Sequence, residues 1–169
     1  EGGERIALLG DNGTGKSTLL RIIAGEEQPD NGIITMANNT VIRFLTQNPY
    51  FKGNQTVLQY IMDDISDDAE RWSMEAEAKA MLNLLGIYDF DALTENMSGG
   101  QRKKTALVKV LLNKSDLLIL DEPTNHLDNE MTAWLEDYLK SYSGAVLMVT
   151  HDRYFLDSVV GRIVEVDKG

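Results

Sequence analysis

The sequence contains no cysteine among its 169 residues. Disulfide bonds and thiolate metal sites are therefore excluded, and the absence fits a reducing cytosol, so we expect a cytoplasmic protein. Basic residues are also few, with 16 Lys and Arg against 27 Asp and Glu, which gives a formal net charge of −11. Because affinity for a nucleic-acid backbone comes from clustered Lys and Arg, this composition argues against a broad nucleic-acid-binding face.

Long hydrophobic runs are absent as well. The longest lie near Leu117 and Ala145 and are far shorter than the ~20 residues that a membrane-spanning helix needs. No signal peptide opens the chain, and it begins at Glu1 without an initiator Met, so we expect a fragment of a longer protein. An apolar content of 43% can bury one core, which predicts a single domain over residues 1–169.

A glycine-rich stretch follows a short apolar run at residues 5–9 and matches the phosphate-binding pattern G-x-x-x-x-G-K-[ST]. Glycine lets such a loop curl around a phosphate with its N–H groups pointing inward, because it reaches the required backbone angles without strain. Lys16 would contact the β- and γ-phosphates, and the Ser17 hydroxyl would be a ligand of Mg²⁺. The predicted loop comprises Gly10, Asp11, Asn12, Gly13, Thr14, Gly15, Lys16, Ser17 and Thr18.

The segment after this loop predicts a helix, because residues 19, 20, 22 and 23 are apolar at helical spacing and Gly25 and Pro29 would end it. Such a helix points its positive N-terminal end at a bound anion. The alternative interpretation is an ordinary glycine-rich turn between a strand and a helix, with an incidental lysine.

The middle of the chain first predicts two strands, residues 33–35 and 40–45, joined by an Asn-Asn turn, and the second leads directly into Gln47. Two amphipathic helices follow, of which the first is capped by Thr56 and the second is stopped by Gly86.

These helices predict a small helical subdomain, about residues 48–112, inserted into an α/β core. The core would consist of residues 1–47 and 113–169 and would have the mainly parallel sheet, flanked by helices, of a P-loop NTPase.

The sequence Ser98-Gly99-Gly100-Gln101 has two interpretations that the residues alone leave open. The spacing of Ser98 and Gln101 is that of a capping box, which marks a helix start and nothing more. A capping box does not need glycines, however, and Gly99 and Gly100 cost helix stability unless the backbone must approach another body closely. In that case the helix N-terminus would be a second anion site.

Acidic residues stand at the end of the apolar run of residues 117–120. A central parallel strand delivers such acids to the carboxyl edge of its sheet. Asp121 would hold Mg²⁺ there, and Glu122 is a candidate base for an attacking water. His151 follows another buried strand and would lie at the same edge. The competing interpretations are a solvated strand end for the acids and a structural role for the histidine.

Taken in order, these motifs resemble those of the ATP-binding cassette (ABC) ATPases over almost the whole chain. The runs at residues 121–128 (DEPTNHLD) and 150–155 (THDRYF) look like the non-transport F branch, whose members carry two cassettes on one chain and act mostly on ribosomes. Residues 134–139 (WLEDYL) are more similar to the first cassette than to the second.

The resemblance implies ATP hydrolysis with ATP and Mg²⁺ as cofactors. Gln47 would bind and sense Mg²⁺ together with Ser17 and Asp121, and the catalytic set would be Glu122, His151 and Gln47. A signature would contact the γ-phosphate of ATP held by a second cassette, located on the same full-length chain or on a head-to-tail homodimer partner. The signature comprises Ser98, Gly99, Gly100 and Gln101.

Two departures from the family accompany this resemblance. The family's adenine-stacking aromatic lies on a strand before Glu1, so the N-terminal strands are missing here. The long two-helix arm of many F-branch members is either absent or was removed by a join near residues 63–71. The ribosome and its rRNA are the expected further partner. Two alternatives remain: the ATPase subunit of a membrane transporter, and a nucleotide-binding module that no longer catalyses.

Overall fold

The computed structural model describes residues 3–167, so the outer ends of the predicted domain, residues 1–2 and 168–169, lie outside the described residues. The chain divides into two compact units, which we call the sheet unit and the helical unit. The sheet unit consists of Glu1–Thr46, Ser115–Thr124 and Thr132–Gly169. The helical unit consists of Gln47–Lys114 and Asn125–Met131.

A five-stranded sheet in the order β2-β3-β4-β1-β5 forms the centre of the sheet unit, and every pairing in it is parallel. Its strands are β1 (Arg5–Leu9), β2 (Ile42–Leu45), β3 (Leu117–Asp121), β4 (Ala145–Val149) and β5 (Arg162–Glu165). The interior strands β3 and β4 are nearly continuous apolar runs, as expected for parallel strands that are covered on both faces. The predicted α/β fold with a mainly parallel sheet is confirmed.

The helices are α1 (Lys16–Ala24), α2 (Val57–Met62), α3 (Asp68–Leu84), α4 (Gly99–Leu112), α5 (Asn129–Ser141) and α6 (Arg153–Val159). In the sheet unit, Leu20 of α1 is fully buried against the strands and belongs to one apolar cluster with Leu8, Ile119, Leu147 and Val149. This packing holds the beginning of α1 at the carboxyl end of β1. In residues 3–167, no helix has the length and apolar character required to cross a membrane.

The helical unit is built from α2, α3 and α4, and its helix ends follow the predicted signals. The Thr56 hydroxyl accepts a hydrogen bond from the Gln59 N–H at 3.2 Å, and the Gln59 side chain returns a bond to the Thr56 N–H. Gly86 follows α3 with φ 76°, a left-handed conformation that suits glycine. Both the predicted cap and the predicted stop are therefore confirmed.

The predicted strand over residues 33–35 is wrong, and the second strand begins at Ile42 rather than at residue 40. The Asn-Asn turn between them forms, with Asn39 at φ 64°. Ile33 is 92% exposed, however, so it does not pack against the rest of the described chain. Strand propensity without packing does not hold a strand, because the propensity mainly measures side-chain burial.

Candidate functional site

The loop between β1 and α1 ends in a helix start that lacks a side-chain cap. Gly15, the N-cap residue, has φ 90°, and no side chain accepts a hydrogen bond from the first turn of α1. Every other α-helix in residues 3–167 has such an acceptor, provided by Thr56, Asp67, Ser98, Asp128 and Asp152. Because the first N–H groups of a helix have no partner within it, the start of α1 offers its donors to an external acceptor.

The side chain of Lys16 lies across this loop. It is only 8% exposed, and its Nζ donates to the carbonyl oxygens of Gly10 and Asp11 at 2.7 Å each. Gly10 is itself confined, because a Cβ at this position would lie 2.3 Å from the carbonyl oxygen of Val166. The Lys16 ammonium group and the uncapped N-terminus of α1 therefore belong to the same tightly packed loop. This arrangement is suited to binding a polyphosphate.

Parallel pairing places the carboxyl ends of β3, β4 and β1 at the same edge of the sheet, in neighbouring positions. The loop that follows β1 therefore shares an edge with Asp121, the last residue of β3, which is buried and pairs in register with Val149. This is the edge at which open α/β sheets bind ligands.

Glu122 and His151 are brought together at this edge. The Glu122 carboxylate is buried and lies 3.3 Å from the Nε2 atom of His151, whose side chain is 67% exposed. Glu122 also has φ 52°, a left-handed conformation that costs a non-glycine residue about 1–3 kcal/mol. Its N–H donates to the carbonyl oxygen of Val149 at 2.8 Å, which holds this backbone in place. Backbone strain of this kind is concentrated at active sites, where a side chain has to be held in one orientation.

A cleft of about 380 Å³ in the helical unit brings Gln47 together with Gly99 of the predicted signature. The cleft is lined by Gln47, Asn48, Pro49, Gly99, Arg102, Lys103, Asn125 and His126. The Gln47 residue is exposed. Its side chain is therefore presented to solvent beside the first turn of α4.

The structure shows the capping box at the start of α4. The Ser98 hydroxyl accepts from the Gln101 N–H at 3.2 Å, and the Gln101 side chain accepts from the Ser98 N–H at 2.9 Å. The two glycines differ in their surroundings. A Cβ on Gly100 would lie 3.4 Å from the His126 side chain, whereas a Cβ on Gly99 would meet nothing within 4 Å. Because 3.4 Å is an ordinary van der Waals contact, packing within residues 3–167 requires glycine at neither position.

The structure makes three residues prominent that lie outside the predicted site. Lys103 is 5% exposed, and its signal is a lysine in phase with the buried Leu107 and Val110 of α4. His126 has φ 69° and packs on Gly100, for which no sequence signal exists. Asp128 accepts from the Met131 N–H at 2.9 Å and so caps α5, which the position of a carboxylate before a helix could have indicated.

The residues at the sheet edge fit a magnesium nucleotide. Within residues 3–167, no group of three or more His, Asp and Glu side chains forms a metal cage. Mg²⁺ does not need one, because it is commonly bound by one or two carboxylates together with substrate phosphates and water. The buried Asp121, at the same sheet edge as a loop whose helix start has no side-chain cap, agrees with that mode of binding.

Comparison with known proteins decides the family. The profile of the family described as "ABC transporter" matches residues 1–125, well over half of the chain. The chain belongs to the ABC family.

The ABC transporter ATP-binding protein YfmR of Bacillus subtilis is 42% identical over 100% of this ABC cassette and 33% of its own length. The energy-dependent translational throttle protein EttA of Mycobacterium tuberculosis is 39% identical over 99% of the cassette and 36% of its own length. EttA is an F-branch protein, which agrees with the predicted branch.

A solved structure extends this similarity to the fold. The structure of an archaeal ribosome recycling factor in complex with a ribosomal stalk protein superposes with a TM-score of 0.79 and 28% identity, over 98% of this ABC cassette and 32% of that chain. The cassette therefore spans about a third of the length of each of these proteins. The match with YfmR runs over 205 residues, compared with 169 here, so the relative has residues that this cassette lacks.

Proposed function

We propose that this ABC cassette binds and hydrolyses ATP as one of two cassettes in a longer protein, and that the two cassettes close on each other and act on the ribosome. The observation that carries the proposal is the uncapped start of α1, with Lys16 across its loop, at the sheet edge that also bears Asp121, Glu122 and His151. Together these groups supply donors for phosphates, an acid for Mg²⁺ and a base for water.

Each residue of the sheet edge has a role in the proposed reaction. The loop N–H groups and Lys16 would bind the phosphates, while Ser17 and Asp121 would hold Mg²⁺, which would neutralise charge on the phosphates. Glu122 accepts a proton from the water whose oxygen attacks the γ-phosphorus, and ADP leaves. His151 donates to an oxygen of the γ-phosphate. The Glu122 carboxylate is buried, which favours this role. The surrounding protein atoms hold a buried carboxylate in one orientation, so it need not reorganise when the water attacks.

The helical unit supports the role of the signature. The Ser98 hydroxyl accepts the capping bond from Gln101, so its own proton remains available for donation to a phosphate oxygen. The open space beside Gly99 lets another molecule approach the backbone. We assign the nucleotide that meets Ser98–Gln101 to the second cassette, on the same full-length chain or on a head-to-tail partner. The roughly threefold greater length of the relatives supports this assignment.

The proposed ribosomal role rests on the relatives. EttA is named for translation, and the archaeal relative was solved with a ribosomal stalk protein. The net charge of −11 restricts direct contact with rRNA to a local patch or to other parts of the full-length protein. Such a protein would work in the cytoplasm. The family profile is named for transporters, which keeps a transporter ATPase subunit as the second candidate.

Co-sedimentation of the full-length protein separates these two candidates. Glu122→Gln should trap the ATP-bound state, so this variant should pellet with ribosomes when ATP is present and should be released without it. The same variant carrying Lys16→Ala is the control, because it should bind too little ATP to close. Recovery of the trapped variant in the membrane fraction, with no ATP-dependent ribosome binding, would replace the ribosomal proposal with the transporter one.

A second prediction concerns the division of one active site between two cassettes. Positioned charge around the γ-phosphate supplies most of the catalysis, so a site without its opposite signature should turn over slowly. The isolated cassette should therefore hydrolyse ATP slowly, with a rate per molecule that rises with protein concentration. Adding the missing cassette should raise the rate further, and Ser98→Arg should abolish that gain without changing the variant's own ATP affinity. A fast, concentration-independent rate at nanomolar protein would contradict the two-cassette mechanism.

A further inference from the structure

Lys103 is a buried cation on the apolar side of the helix that carries the signature. Only 5% of the residue is exposed, and it is in helical phase with the buried Leu107, Val110 and Leu111. A charged group at such a position is costly unless it is paired or hydrogen-bonded. The Nζ atom donates to the carbonyl oxygen of Gln47 at 3.4 Å. The ammonium thus reaches the loop that leads into the helical unit.

The contact holds the backbone of Gln47 and leaves its side chain exposed. Gln47, Gly99 and Lys103 line the same cleft, and Gly99 precedes Lys103 by about one helical turn. A single rigid element, the first turns of α4, therefore carries the signature and also anchors the backbone from which the Gln47 side chain projects.

The neighbouring basic residues of α4 hold other loops of the helical unit. Arg102 donates to the carbonyl oxygens of Thr94 and Glu95 at 3.1 Å each. Lys104 donates to the carbonyl oxygen of Leu85, at the end of α3, at 3.2 Å. Of these three residues, Lys103 is the one that donates to Gln47. Lys104 is therefore a matched control, because it is a lysine on the same helix with the same kind of contact to a different loop.

We propose that Lys103 is a positioning residue that couples the Gln47 loop to the signature helix. By fixing the Gln47 carbonyl, Lys103 restricts the directions that the glutamine side chain can take whenever α4 is in place. The two elements that sense nucleotide in the helical unit then move together. This inference rests on the proposed role of Gln47 in ATP hydrolysis.

Hydrogen exchange tests the anchor itself, without nucleotide. In the full-length protein, Lys103→Met keeps most of the buried stem but removes the donor. Exchange over residues 46–51 should rise about 2- to 10-fold, because a hydrogen bond as long as 3.4 Å contributes no more than an ordinary one. Lys104→Met should leave residues 46–51 unchanged and should act near Leu85 instead. Unchanged exchange over residues 46–51 in a folded Lys103→Met variant would overturn the proposal.

A double-mutant cycle on turnover tests the coupling. Lys103→Met should lower kcat about tenfold with little change in the KM for ATP, and the same change should have no further effect in a Gln47→Ala background, because Lys103 acts through the Gln47 side chain. Lys104→Met and Gln47→Ala should act independently. Multiplicative effects of Lys103→Met and Gln47→Ala on kcat would overturn the coupling.

Two further results keep the inference separate from the proposed function. If Lys103→Met does not fold, Lys103→Gln, which keeps an N–H donor without the charge, replaces it and should give a smaller rise in exchange. If hydrogen exchange over residues 46–51 is unchanged in both Lys103→Gln and Lys103→Ala, the proposal that Lys103 holds this loop is overturned. A wild-type protein that does not hydrolyse ATP would remove the proposed function, whereas the exchange experiment would still decide whether Lys103 holds the loop.

Discussion

Replacing Glu122 by Gln in the full-length protein should slow ATP turnover by about two to four orders of magnitude, the usual contribution of a positioned general base. Glutamine keeps the size and shape of the side chain but cannot accept a proton from the attacking water. ATP affinity should be retained, because the phosphate-binding groups lie on the loop after β1. Steady-state phosphate release and equilibrium nucleotide binding measure the two quantities separately.

The control for this prediction lies at the other end of the same strand. The Asp116 carboxylate precedes β3 and accepts a hydrogen bond from the Val41 N–H at 2.8 Å. Asp116→Asn keeps an acceptor there and should leave the hydrolysis rate unchanged. A Glu122→Gln variant as fast as the wild type would remove Glu122 from the mechanism and would leave its strained φ of 52° without a functional explanation.

The second large effect is expected for Lys16→Ala, which should weaken nucleotide affinity about 10- to 100-fold, as hydrogen bonds to a charged group contribute about 1.5–3 kcal/mol. The substitution removes the point charge that would bind the β- and γ-phosphates. It also removes the donor that holds the carbonyl groups of Gly10 and Asp11, so the loop should lose its fixed shape. Calorimetric titration with ATP measures the loss directly.

Arg21 provides the matched control for the lysine. It lies in the last turn of the same helix, and its guanidinium pairs with Glu27 at 3.5 Å with both side chains about half exposed. Arg21→Ala removes a cation from α1 without touching the loop and should leave ATP affinity unchanged. Wild-type affinity of the Lys16→Ala variant would contradict the assignment of the phosphate-binding loop.

Local patterns in the sequence were sufficient for several structural features. The cap at Thr56, the stop at Gly86 and the capping box of Ser98 and Gln101 all form as their spacing predicts. Each involves residues within a few positions of one another, so the information needed is contained in a short stretch. The prediction of a strand at residues 33–35 was wrong because the stability of a strand depends on a packing surface, which a local pattern cannot describe.

The sequence by itself determined the family, the order of the motifs and the residue types available for chemistry. The tertiary structure alone decided which of those residues meet. The contact of Glu122 with His151 joins positions 29 residues apart, and the bond from Lys103 to Gln47 joins positions 56 residues apart. Such contacts depend on strand order and helix packing, which arise from the burial of the whole apolar surface rather than from any short pattern. For that reason the phosphate-binding loop could be predicted from nine consecutive residues. The orientation of Glu122 and the bond from Lys103 to Gln47 could be learned only from the folded chain.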